Sequence, residues 1–94
     1  MIALASTNGV QIGFPYHGPR YRAEHGVVID QTLPVTCLGS WLSLAEAEAK
    51  LGPLCREAIR AEQEGRPIYR VLAREARSLV EAIDAARAWR RAAA

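Results

Sequence analysis

Close-spaced cysteines are missing from this sequence. Cys37 and Cys55 stand far apart, which excludes a disulfide-dense scaffold. Both read as buried free thiols, because an unpaired cysteine packs like a small hydrophobe. Long apolar runs are missing too. No stretch approaches the roughly 20 residues of a membrane span. Met1–Ser6 lacks the basic start and the apolar length of a signal peptide, so a cytoplasmic protein is expected.

Lysine is nearly absent, with Lys50 alone against eleven arginines, and alanine is frequent after Leu44. Both biases are what a GC-rich coding sequence produces. A bacterium, or a phage or mobile element living in one, is the expected source.

Catalytic and ligand-binding patterns are also scarce. His17, His25, Cys37 and Cys55 are scattered without a close pair, whereas structural zinc sites pair their ligands. Glu46/Glu48 and Glu62/Glu64 are two apart, so on a helix the members of each pair diverge. Gly9, Gly13 and Gly18 are too widely spaced for a phosphate-binding loop. Cys37 is expected on an inward strand face, as an inert thiol. No metal, cofactor or enzymatic activity is expected.

The residues that are present fit one domain over 1–94. Half are apolar, 23% are charged, and the net charge is +2. That balance does not suit a disordered chain, and by itself it does not mark a nucleic-acid binder. Charge is unevenly placed: after Trp41 lie ten of the twelve basic and eight of the ten acidic residues.

The N-terminal half reads as strands. Ile2 to Phe14 alternates around Asn8-Gly9, the pattern of a hairpin. Pro15 to Pro19 is a loop that carries Tyr16 and His17. Tyr21 to Glu24, Val27 to Ile29 and Leu33 to Leu38 are further strand candidates, with turns at His25-Gly26 and Asp30-Gln31-Thr32. An antiparallel meander of three or four short strands within residues 2–38 is expected.

The C-terminal half reads as helix. Ser43-Leu44-Ala45-Glu46 matches a capping box. Gly52-Pro53 is expected to break or kink the helix begun there, giving helices over 44–51 and 53–64. The second would bury Leu54, Cys55, Ala58 and Ile59. Gly65 suits a C-terminal cap, and Pro67 suits the first turn of a last helix over 67–91. In that helix Leu72, Ala76, Leu79, Ile83 and Ala86 follow 4-3-4-3 spacing. Ile68, Val71 and Val80 widen the stripe, and the alanine tail is expected to fray. The fold class is α+β, with the helices packing on the meander.

Val27 to Leu51 resembles the sheet-then-helix order of arm-type DNA-binding domains of phage integrases. The likeness rests on Gly39-Ser40-Trp41 and the cap Ser43-Leu44-Ala45-Glu46 and covers about a quarter of the chain. The strands lack the interleaved basic and aromatic residues that read DNA, so no functional residue is carried over.

Function is expected on surfaces. Arg66, Arg70, Arg74 and Arg77 fall within a sector of roughly 80° at about 100° per residue, nearly opposite the apolar stripe. Arginines in the first half of a helix oppose its macrodipole. A basic strip there fits contact with phosphate or with an acidic protein surface; it also fits the ordinary solvated face of an amphipathic helix. Arg77–Glu81 and Asp84–Arg87 are expected as helix-surface pairs. Trp41 is expected to plug the junction between sheet and helix. Trp89, flanked by Arg87, Arg90 and Arg91, lies off the stripe and suits an interface anchor.

The favoured reading is a small non-enzymatic protein-binding module, a regulator or inhibitor that engages a host protein complex. Arg66, Arg70, Arg74, Arg77, Trp89, Tyr16 and His17 would form its contact surface. Small size, a single domain and no catalytic motif make a profile similar to that of anti-CRISPR proteins. The alternatives are a nucleic-acid-binding accessory protein using the same strip, and a homodimeric assembly protein built on the long helix.

Overall fold

The structure, a computed structural model, describes residues 18–94. The hairpin expected over 2–14, and the loop residues Tyr16 and His17, lie outside the described residues. Within them, Tyr21–Glu24 (β1) and Val27–Asp30 (β2) pair antiparallel, with Tyr21 opposite Asp30 and Glu24 opposite Val27. Only His25 and Gly26 connect the strands, with φ of 53° and 82°. Positive φ at both positions matches the twist of a two-residue hairpin. Trp41–Leu42 (β3) adds antiparallel to the other side of β2, giving the strand order β1-β2-β3.

Alternation sorts the side chains by face. Val28, with Ala23 and Leu42 beside it in register, joins the core against the helices. Ile29 points the other way, with Arg22 and Trp41 as its cross-strand neighbours, and is nonetheless fully buried.

Leu33 to Leu38 is not a strand. Asp30 Oδ1 accepts from the backbone N–H of Thr32 at 3.0 Å and from its hydroxyl at 2.6 Å, which turns the chain out of β2. The Cys37 N–H then bonds Pro34 O at 2.9 Å, and a 3-10 turn follows at Leu38–Ser40. Local bonds satisfy the backbone here, and Pro34 has no N–H to give a ladder. Two further expectations change with it. Cys37 is exposed and Cys55 half-buried, both free. Trp41 stands before the first helix, yet its ring is half exposed, and its indole N–H bonds Val35 O.

The first helix, α1, spans Leu44–Gln63 without interruption. Its capping box is complete: Ser43 Oγ accepts the Glu46 N–H at 3.1 Å, and Glu46 Oε1 accepts the Ser43 N–H at 2.9 Å. Those bonds hold the Glu46 carboxyl below its ordinary range. Pro53 sits inside the helix, so the expected break at Gly52-Pro53 does not occur. Proline removes one N–H, the partner of the Ala49 carbonyl, and leaves the rest of the helix to continue. Packing supplies the reason to continue: Leu44, Ala47, Leu51 and Leu54 all reach the core, on both sides of the proline, and Ala61 is fully buried one turn from the end. Ile59 is exposed instead of buried. Gly65, with φ of 72°, closes the helix. Its N–H bonds Glu62 O at 3.1 Å and the Arg66 N–H bonds Ala61 O at 2.9 Å, a Schellman cap.

The second helix, α2, spans Tyr69–Ala93. A turn at 66–69 precedes it, with the Tyr69 N–H on Arg66 O at 3.1 Å. Leu79, Ala82, Ile83 and Ala86 meet Val28, Leu42 and Ala47 in the core. Ala76 is buried as well and Leu72 is half-buried, so the C-terminal part of the stripe is spent within the chain. Ile68, Val71 and Val80 do not widen it, because all three are exposed.

Candidate functional site

Arg66 does not belong to the α2 face. It lies in the turn ahead of the helix, where its guanidinium reaches Glu57 at 3.2 Å and Glu64 at 2.9 Å. Two carboxylates neutralise it, and the contact fastens the turn to the end of α1. Arg70 is on the face and exposed; its guanidinium lies 5.7 Å from the Tyr69 ring centroid, with Nε donating to the Tyr69 hydroxyl at 3.3 Å.

Arg74 and Arg77 are exposed, and neither side chain makes an ion pair or hydrogen bond with another described residue. The Arg77–Glu81 pair expected from their spacing is not formed, whereas Arg87 does approach Asp84, at 3.9 Å. Both arginines line a depression of about 260 Å³, with Gly18, Pro19, Ser78 and Glu81 as its other walls. On its other side Arg74 borders a smaller depression with Thr32, Val71, Arg20 and Glu75.

Gln31 and Arg20 hold the Gly18-Pro19 wall: Gln31 Nε2 donates to Pro19 O at 3.0 Å and its backbone N–H to Arg20 O at 2.7 Å, and the Arg20 side chain is itself anchored. Its guanidinium grips Asp30 with two N–H groups, at 2.9 and 3.2 Å, and Glu75 on α2 with a third, at 3.1 Å. Asp30 is buried at 3% exposure. Burial pushes its carboxyl up, but the hydrogen bonds from Arg20 and Thr32 outweigh this and hold it below the ordinary range. The same bond raises Arg20 above its ordinary value. Arg20 is thus a structural clasp, occupied by Asp30 and Glu75, while the Arg74 and Arg77 side chains beside it pair with no other described residue.

Trp89 is held away from this face. Its ring packs edge-on to His25, with centroids 5.8 Å apart, and Arg90 Nε donates to Gly26 O at 2.8 Å. The end of α2 is docked on the β1–β2 hairpin. Trp89 is half exposed there, but it serves this junction and does not join the arginines. Of the residues singled out in the sequence, the structure brings together Arg70, Arg74 and Arg77, and separates Arg66 and Trp89 from them.

Sequence reasoning missed Val71, Gly18 and Pro19 as neighbours of the arginines. Helical spacing alone places Val71 at the margin of the core stripe, and the loop's path depends on the Arg20–Asp30 clasp, which no local pattern announces. Among the described residues no group of three His, Cys, Asp or Glu side chains is gathered for a metal ion, and no helix is long and apolar enough to cross a membrane. No protein-family model matches the chain, and no curated protein or solved structure matches it.

Proposed function

We propose that this chain is a small non-enzymatic protein-binding module, a regulator or inhibitor by type, that engages an acidic surface of a protein complex through Arg70, Arg74 and Arg77. The observation that carries the reading is that the Arg74 and Arg77 side chains, beside a shaped depression, have no ion-pair or hydrogen-bond partner among the described residues. Arginine is favoured at protein interfaces because its planar fork pairs with carboxylates in a fixed geometry.

One feature favours protein over nucleic acid as the partner. Val71, 45% exposed, lies next to Arg74, and an apolar side chain among arginines suits a protein contact.

Mobility-shift assays at low salt with single- and double-stranded DNA and RNA separate the two partners. Nucleic-acid binding weakens steeply with salt. No shift is expected at micromolar protein. A salt-sensitive shift that Arg74→Glu and Arg77→Glu abolish would transfer the face to the nucleic-acid reading.

A further inference from the structure

From Gln31 to Ala45 the chain carries no charged side chain. This stretch exposes Leu33, Val35, Leu38 and Trp41, with Leu38 at 96%. The loop is nonetheless well held. Leu33 N–H bonds Asp30 O at 3.3 Å, Ser40 N–H and Oγ bond Cys37 O at 3.0 and 2.7 Å, and the Trp41 indole bonds Val35 O. The Leu33 side chain lies over Gly39. A loop already ordered in the free protein loses little further entropy on association.

We propose that this loop is the contact between two copies of the chain. Charge selects the occupant. In a two-fold contact the same patch faces itself, so it must be self-complementary. The other large apolar side chains exposed among the described residues are Ile59, Ile68, Val71, Val80 and Trp89. Each has a charged residue within two positions: Arg60, Arg66, Arg70, Glu81 and Arg90 respectively. Brought against themselves, the surfaces around Ile68, Val71, Val80 and Trp89 would oppose like charges, and the one around Ile59 would have to bury the Glu57–Arg60 ion pair. The 31–45 loop meets its own copy without that repulsion and buries Leu38 against apolar neighbours. Area sets the strength. The four side chains offer roughly 400–500 Å², against about 800 Å² per partner in a standard stable interface. The dimer is therefore weak and forms with rising concentration.

Sedimentation velocity from micromolar to millimolar protein tests this. The mass is expected to rise from the 10.3 kDa of the monomer toward twice that value. Leu38→Asp should weaken association at least tenfold and leave the circular dichroism spectrum unchanged, since Leu38 is almost wholly in solvent. In a Cys55→Ser background, a short bismaleimide should join Cys37 to Cys37, and Leu38→Asp should suppress that product. A monomer through the millimolar range overturns the proposal. So does a dimer that persists in Leu38→Asp, or one lost only on reversing Arg74 and Arg77. Every readout uses the isolated chain, so failure here leaves the arginine-face reading standing.

Discussion

Arg20 holds the buried carboxylate of Asp30 through two N–H groups, and its third bond, to Glu75, reaches helix α2. The clasp joins the end of β2, the segment before β1 and the helix that carries the arginine face. Its loss is expected to be felt in stability and in the placement of Pro19. Arg20→Ala strands a buried carboxylate, and a cost of about 2–3 kcal/mol is expected, somewhat below that of a fully buried pair because Arg20 is partly exposed. Chemical denaturation measures it.

The same pair predicts an acid limb. The folded-state pKa of Asp30 is depressed below the ordinary 3.8. Its contribution is therefore complete above about pH 4–5 and is lost as pH falls through the depressed value. Asp30→Asn should be less stable than wild type at pH 7, with a shallower loss of stability between about pH 4 and pH 2. Equal slopes for the two proteins in that window would contradict the assignment.

Gly26 and Gly65 both have positive φ but differ in surroundings. A Cβ on Gly26 would stand 2.9 Å from Trp89 Cε3 and 3.1 Å from Arg90 Cγ, whereas nothing lies within 4 Å at Gly65. Gly65→Ala should cost about 1 kcal/mol, the left-handed backbone term alone. Gly26→Ala should cost more, about 2–3 kcal/mol, because the hairpin and the end of α2 must also separate. Trp89 fluorescence should report the change at Gly26 and not at Gly65.

Pro53 leaves the Ala49 carbonyl without its helical N–H partner. Pro53→Ala should restore that bond and stabilise the fold by about 1–3 kcal/mol. A melting-temperature comparison checks it. A destabilised variant would mean that the proline ring makes packing that alanine cannot replace.

Much of the fold was legible because local chemistry and packing agreed. The Ser43–Glu46 box, the His25-Gly26 turn, the Gly65 cap and the 4-3 stripe of α2 are each short-range signals, and each forms. Two misreadings came from weighing one residue against a longer pattern. Pro53 suggested a break, but the core spacing Leu44, Ala47, Leu51, Leu54 runs through it in phase. Alternation in Leu33 to Leu38 suggested a strand, but Asp30 and Thr32 divert the chain first. The site was less legible. Four arginines at helical spacing look equivalent in sequence. What divides them is long-range: Arg66 meets Glu57, while Arg74 and Arg77 meet no carboxylate among the described residues.

The most direct test of the arginine face is comparative affinity capture from a bacterial lysate, with quantitative mass spectrometry, using wild type and the Arg74→Glu/Arg77→Glu variant. Acids in the first half of α2 suit its dipole, so the variant should fold, and its circular dichroism spectrum checks that. A protein partner is expected whose recovery falls at least tenfold in the variant and declines as salt rises. Equal recovery of that partner by both proteins would contradict it.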